Sequence, residues 1–383
     1  MPQIKLRAVF MRGGTSNALM LRAEDLPHDR AAWDRIFLGA LGSPDPYGRQ
    51  LDGMGGGISS LSKVCVIGPP TRPEADVDYT FAQVAIREAF VDYSGNCGNM
   101  SSAIGPFAVD EGIVRANGTE AVVRIHNTNT GKLIVARFPI EGDKADVEGD
   151  FVLPGVAGSG APIKLEFLAP GGAATGRLLP TGNVIDLLDI EGAGRIEASM
   201  VDAANPCVFV SADTLGLSGT EMPDQLERDT TCMQRLEAIR VAASLRMGIA
   251  AAPAEAARKP SIPKVAIVTG PHDAATLTGE PVSADACDVT IRMISIGQPH
   301  RAVPLTGAMC LAVAARLPGS IVARAARPPV TADAPIRIAQ PSGVTVVASS
   351  IRHEGEEWFA EHATVYRTAR RLMEGFVFVR ASA

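Results

Sequence analysis

The sequence is poor in the features that mark several protein classes. Only 5% of its 383 residues are aromatic, and its 36 Lys and Arg are outnumbered by 42 Asp and Glu, for a formal net charge of −6. A nucleic-acid binder needs a basic stripe for the phosphates and ring faces for the bases, and neither is present. No segment approaches the roughly 20 apolar residues of a bilayer crossing. Met1 to Phe10 alternates charged and apolar residues and lacks the apolar stretch of a signal peptide. A soluble, cytoplasmic protein is therefore expected, with neither nucleic acid nor membrane among its partners. The six cysteines, at 65, 97, 207, 232, 287 and 310, make no C-x-x-C pair and no zinc-like cluster with histidine, so reduced thiols are expected. Gly53-Met54-Gly55-Gly56-Gly57-Ile58 fails G-x-G-x-x-G at its last position, and no loop ends in Gly-Lys-Ser/Thr. The chemistry is expected to need no cofactor and no metal.

What is abundant is small. The chain has 38 Gly and 27 Pro, partly gathered into Gly13-Gly14-Thr15-Ser16-Asn17, Gly53 to Gly57, Ser94-Gly95-Asn96-Cys97-Gly98-Asn99, Pro180-Thr181-Gly182-Asn183 and Thr306-Gly307-Ala308. Such turns let backbone approach a ligand. Hydrophobic content of 46% supplies cores for about two domains at this length.

Period-two alternation predicts strands over 4–11, 18–21, 63–67, 77–86, 89–93, 124–139 and 145–153. Between them Met100, Ala103, Ile104, Phe107 and Ala108 mark a helix buried on one side, which Pro106 must kink or burden. The second half repeats the scheme. Strands are expected over 195–201, 207–210, 264–269, 289–296, 357–366 and 375–379, and helices over 232–247 and 309–317. Each half thus runs strands into a small-residue turn and an apolar helix, which suggests an internal duplication. Two helix amino termini with free N–H groups would suit a carboxylate-bearing ligand. The boundary is placed near the Pro180–Asn183 turn, giving domains 1–182 and 183–383, with the terminal strand returning to the first.

Cys97, between Asn96 and Gly98 at a helix start, stands where the dipole favours a thiolate and N–H groups can hold a forming enolate. Lys63 opens an apolar strand, where partial burial would bring its pKa toward that of a general base. Arg12, His300 and Arg301 are cations near small-residue turns and could clamp carboxylates. Ser60-x-x-Lys63 also spells the S-x-x-K of penicillin-recognising acyl transferases, with Ser94-Gly95-Asn96 imitating their second motif, although the K-T-G element is absent.

Met11-Arg12-Gly13-Gly14-Thr15-Ser16, Gly42-Ser43-Pro44-Asp45-Pro46-Tyr47-Gly48, Gln50-Leu51-Asp52-Gly53-Met54-Gly55-Gly56, Ser62-Lys63-Val64, Asp76-Val77-Asp78-Tyr79, Asn96-Cys97-Gly98-Asn99, Gly105-Pro106-Phe107, Pro180-Thr181-Gly182-Asn183 and Leu372-Met373-Glu374-Gly375 together resemble the 2-methylaconitate cis-trans isomerase (PrpF) family, nearly end to end. The resemblance implies an α+β protein of two pseudo-symmetric domains, of diaminopimelate epimerase-like type, each wrapping strands around a central helix. It implies an active site between the halves with Lys63 and Cys97 as the acid/base pair. The activity implied is an allylic proton shift, without cofactor, in an unsaturated di- or tricarboxylate such as 2-methylaconitate or aconitate; an oxalomesaconate-type tautomerase is the nearest alternative.

From the matching motifs, their two departures at Asn17 and Asn205, and the cations and small-residue turns above, the substrate contacts expected are Thr15, Ser16, Asn17, Ser62, Gly98, Asn99, Thr181, Asn183, Asn205, Arg301, Thr306 and Gly307. The partners expected are that small polycarboxylate and, at most, a second copy of the chain as a homodimer. The epimerases use two cysteines, whereas Pro304-Leu305-Thr306-Gly307 carries no thiol, which favours isomerisation over epimerisation. Asn17 stands where the family usually has lysine, and Asn205-Pro206 is closer to the epimerases' ligand-contacting Asn-Pro. Acyl transfer through Ser60 and a non-catalytic carboxylate-binding role are the readings from other classes.

Overall fold

The structure, a computed structural model, describes residues 3–93, 95–190, 194–295, 297–331 and 334–380. Ser94 and Ile296, which figure in the expectations above, lie outside the described residues. The chain divides into two units, the first running to Glu166 and resuming at Tyr366, the second spanning Phe167–Val365. The division precedes the Pro180–Asn183 turn because that turn folds onto the second unit: Thr181 and Asn183 bind Asp186, and the Ser199 hydroxyl donates to the Val184 carbonyl at 2.8 Å.

In the first unit the alternating runs form β1 (Gln3–Gly13), β2 (Ser16–Arg22), β3 (Lys63–Gly68), β4 (Val77–Val84), β5 (Val91–Asp92), β6 (Glu120–Asn127) and β7 (Lys132–Glu141). Helix α1 (Trp33–Leu41) precedes β3, and α2 (Gly98–Asp110) lies between β5 and β6. β1–β2, β3–β4, β4–β5 and β6–β7 pair antiparallel, whereas β2–β3 and β4–β6 pair parallel. The C-terminal strand Ala369–Arg380 returns to this unit and pairs antiparallel with β1 from Gln3↔Arg380 to Gly13↔Ala369.

The second unit repeats this wiring. β8 (Gly194–Ala203), β9 (Asn205–Ser211), β10 (Lys264–Thr269), β11 (Val289–Ser295), β12 (Gln298–Pro299), β13 (Ile336–Gln340) and β14 (Gly343–Glu354) pair in the same order and senses, with β9–β10 and β11–β13 parallel and the rest antiparallel. Helix α3 (Thr230–Arg246) occupies the place of α1, and α4 (Leu305–Ala314) that of α2. The duplication hinted at by two turn-then-helix segments is thus a matching sequence of six strand pairings in each unit.

Two expectations are corrected by packing. Helix α2 is buried all round, not on one side: Ser101 and Ser102 are buried with its apolar stripe. Their hydroxyls are satisfied by donating back to the carbonyls of Cys97 at 3.1 Å and Asn99 at 2.7 Å. Residues 145–153 are not one strand. Only Lys144–Ala145 and Phe151–Val152 are extended, because the Asp146 carboxylate takes the Glu148 N–H at 2.9 Å and turns the chain. Among the described residues no helix is long and apolar enough to cross a membrane.

Candidate active site

Strand alternation decides which side chains meet helix α2. Val64 and Val66 of β3, with Ala82 and Val84 of β4, join Ile36, Phe37, Ala40 and Leu41 of α1 in one apolar cluster. Successive side chains point to opposite faces of a sheet, so Lys63 and Cys65, and with them Phe81 and Gln83, turn to the other face. Lys63 is 7% exposed. Its Nζ donates to the Gln83 side-chain oxygen and stands 5.1 Å from the Phe81 ring centroid. Gln83 is itself fixed, since its amide donates to the carbonyls of Ser59 at 3.0 Å and Ser62 at 2.8 Å.

Cys97 is the N-cap of α2, extended at φ −99° and ψ 98°, and no side chain caps the helix. The first-turn N–H groups of Gly98, Asn99 and Met100 have no acceptor within the helix by its geometry. Cys97 is half-buried. Cys65, on the same face of β3 as Lys63, is fully buried, and burial pushes its thiol up. Burial likewise raises the neighbouring Tyr79 phenol, whose oxygen is 3.8 Å from Cys65 Sγ.

The glycine-rich loops before β3 are a scaffold for Lys63. Gln50, fully buried with a left-handed φ of 54°, donates to the hydroxyls of Ser43 at 2.8 Å and Ser62 at 2.7 Å, and its oxygen accepts the Gly57 N–H at 3.0 Å. Ser62 in turn donates to the Val84 carbonyl at 2.9 Å. Its hydroxyl is spent inside the protein, so this residue positions Lys63 and does not face a ligand. Ser60 lies in the short turn Ser59–Leu61 while Lys63 opens a strand, so the two do not share the helix face that an S-x-x-K pair requires.

Thr15 is exposed at the β1–β2 turn, where its oxygen accepts from Asn99 Nδ2 at 3.0 Å. Ser16 is buried at the start of β2, and Asn17 pairs with Arg12 across the hairpin. Arg12 donates to the carbonyls of Gly14 at 3.0 Å and Thr368 at 2.9 Å, and burial and then Arg370 lower its pKa. Sequence reasoning missed Arg367, which donates to Asn99 Oδ1 at 3.2 Å. Nothing in the local sequence of the C-terminal strand pair announces that contact.

In the second unit, Val208, Val210, Val265 and Ile267 pack with α3, so alternation turns Cys207 and Lys264 to the α4 side. Lys264 opens β10 as Lys63 opens β3, and burial lowers its pKa. A β-carbon on Gly307 would lie 3.9 Å from the Lys264 chain and 2.4 Å from Met293 Sδ. Pro263-Lys264-Val265 mirrors Ser62-Lys63-Val64, a signal visible only once the repeat is aligned. Pro304 is the N-cap of α4, the position held by Cys97 in α2, and Thr306 and Gly307 fall in the first turn. Asn205 opens β9, and its Oδ1 is buried without a hydrogen-bond partner among the described residues.

Other expected contacts are engaged elsewhere. Thr181 and Asn183 bind Asp186 at 2.6 and 3.1 Å. Arg301 makes a surface ion pair with Asp224 at 3.4 Å. His300 is no cation, because burial, then Lys264, pushes its pKa down to about 4. Among the described residues no group of three or more His, Cys, Asp or Glu could hold a metal.

The sequence profile of the PrpF protein family matches residues 3–380. The chain is 44% identical to the "3-methylitaconate isomerase" of Eubacterium barkeri, over 98% of both chains. It is 40% identical to the "2-methyl-aconitate isomerase" of Shewanella oneidensis, over 99% of this chain and 98% of the other. A solved methylitaconate-delta-isomerase superposes with TM-score 0.90 at 43% identity, covering 99% of this chain and 97% of that one. A hydroxyproline epimerase from Agrobacterium vitis superposes with TM-score 0.55 at 12% identity, over 99% and 94% of the two chains, a likeness of fold alone.

Proposed function

Since the chain belongs to the PrpF family and is an isomerase with the epimerase-like fold, we propose that it moves a carbon–carbon double bond in an unsaturated di- or tricarboxylate by proton transfer through Lys63 and Cys97. The observation that supports this most is the convergence of two proton carriers on one face. β3 alternation turns Lys63 toward α2, and the cap of α2 is Cys97.

The chemistry follows from those groups. Lys63, as its amine, removes a proton from an allylic carbon, and the electron pair spreads through the double bond into the adjacent carboxylate as a dienolate. Protonation two carbons away by the Cys97 thiol completes the 1,3-shift, and exchange of the proton between the two side chains resets them. Reversal of the two roles gives the reverse reaction. The first-turn N–H groups of α2 stabilise the charge as it spreads. The cap of α4 carries proline instead of a thiol, which favours isomerisation over a two-cysteine epimerisation.

Substrates of the methylitaconate and 2-methylaconitate class are the ones to test, because the relatives named for them are similar over almost the whole chain. NMR in deuterated water should show solvent deuterium entering 2-methylaconitate, methylitaconate or trans-aconitate with the wild type and none with Lys63→Ala. Uptake that persists in Lys63→Ala would overturn the assignment.

A further inference from the structure

Arg367 is a buried cation that no ion pair explains. Its residue is 8% exposed, and among the described residues no carboxylate lies within 4 Å of its guanidinium. Burial lowers its pKa only to about 10, so it remains charged at neutral pH. Nη1 donates to the Tyr366 carbonyl at 2.7 Å, and Nε donates to Asn99 Oδ1 at 3.2 Å. A buried charge without a counter-ion is costly unless something anionic supplies the partner.

The contact to Asn99 has a directional consequence. With Oδ1 engaged by Arg367, the amide must present Nδ2 to the other side, where it donates to Thr15 Oγ1 at 3.0 Å. A hydroxyl that accepts one hydrogen bond keeps its own hydrogen for another acceptor. Thr15 is exposed, and Asn99 is two residues beyond the Cys97 cap. The close fit is enforced at Gly14, where a β-carbon would fall 2.4 Å from Asn99 Oδ1 and where φ is +52°. Arg12, which holds Gly14 and Thr368, adds a second half-buried cation with no carboxylate partner among the described residues.

We propose that the chain of hydrogen bonds from Arg367 through Asn99 to Thr15 is a carboxylate subsite: Thr15 donates to a substrate carboxylate, and Arg367 is the positioning residue that orients Asn99 and supplies the opposing charge. This rests on the polycarboxylate reading of the site. It adds a specificity determinant, because a substrate lacking a carboxylate at that place would leave Arg367 uncompensated.

The test pairs binding with turnover. Binding of tricarballylate, a saturated tricarboxylate, is measured by calorimetry, and KM and kcat are measured with the substrate that shows solvent exchange. Arg367→Met should weaken tricarballylate binding and raise KM by about 10- to 100-fold, as expected for a hydrogen bond to a charged group, with kcat falling far less. Arg367→Lys should recover part of that loss. Thr15→Val changes an exposed side chain, so it carries the test even where Arg367→Met fails to fold, and combining the two should cost no more than the larger single loss. Binding and KM within twofold of wild type in folded Arg367→Met or in Thr15→Val would overturn the subsite, as would a wild type that binds no tricarboxylate. A wild type that binds tricarballylate but exchanges no proton would overturn the isomerase reading alone, with the subsite still decided by the binding series.

Discussion

Lys63 Nζ donates to the side-chain oxygen of Gln83, its register partner across β3 and β4. Gln83 cannot turn away, because its amide nitrogen is committed to the carbonyls of Ser59 and Ser62. The glutamine therefore aims the lysine while leaving it without a fixed negative charge. Gln83→Leu, similar in size and without polar atoms, should lower kcat about 10- to 100-fold, the loss of one hydrogen bond to the ammonium that forms as Lys63 takes the proton, while KM changes little. Steady-state isomerisation kinetics decide it. A raised KM at unchanged kcat would show that Gln83 serves binding instead.

Gln50 acts one layer further out. Three hydrogen bonds from one buried amide hold Ser43, Ser62 and Gly57, and Ser62 precedes Lys63. Gln50→Ala would leave the buried Ser62 hydroxyl and the half-buried Ser43 hydroxyl short of a donor and the half-buried Gly57 N–H without its acceptor. An orphaned buried group costs about 1–3 kcal/mol, and the partly exposed ones cost less. The unfolding midpoint in urea should fall, and activity should fall in the protein that remains folded, because the turn that presents Lys63 loosens. An unchanged midpoint would show that the loop repacks.

These two relationships mark where the sequence stops being legible. Many strand and helix positions could be read from alternation and from the apolar runs, but not β13 or β14 nor the turn that splits 124–139 into β6 and β7, and the motif resemblance singled out Lys63 and Cys97. Gln83 and Arg367 could not be read. Their importance lies in contacts 20 and 268 residues away along the chain, and side-chain direction at those places is set by register and packing, not by local pattern. Lys264 was hidden differently. Its strand, Lys264–Thr269, was evident, but its likeness to Lys63 required the matched strand pairings of the two units. Helix α1 was missed because its buried residues, Ile36, Phe37, Ala40 and Leu41, are too few for a long stripe. Ser62 and Thr181 were expected from their motifs and Arg301 from its charge, and their partners in the structure are the Val84 carbonyl, Asp186 and Asp224.

His300 gives a pH dependence with a definite sign. Its pKa of about 4 lies below the ordinary 6.5, chiefly through burial and then through Lys264. The unfolded chain therefore binds a proton at this group between pH 6.5 and 4 while the folded chain does not, so its contribution makes stability fall as pH is lowered through that window. Above 6.5 the contribution is constant. His300→Gln, which does not titrate, should flatten the decline of the urea midpoint between pH 7 and pH 5. An identical slope in both proteins would assign the acid sensitivity to other groups.

Gly13 sets how closely β1 approaches α2, the helix capped by Cys97. A β-carbon there would stand 2.9 Å from the Asn99 carbonyl oxygen, 3.1 Å from the Met100 α-carbon and 3.2 Å from the Ala103 β-carbon. Two of those three atoms are helix backbone, so the clash cannot be relieved by rotating a side chain. Gly13→Ala must push the first turn of α2 outward, and that turn carries Cys97, Asn99 and the N–H groups assigned to the dienolate. Overpacking of this kind costs about 1–3 kcal/mol. The larger effect should appear in kcat, since a displacement of the order of an ångström in a catalytic group can cost about 100-fold in rate. Gly105→Ala provides the comparison: its β-carbon would meet Phe138 at 2.7 Å in the middle of the same helix, so it should match Gly13→Ala in lost stability while retaining much more of the rate. Equal loss of kcat in the two variants would show that the rate follows the stability of α2 as a whole and not the position of its first turn.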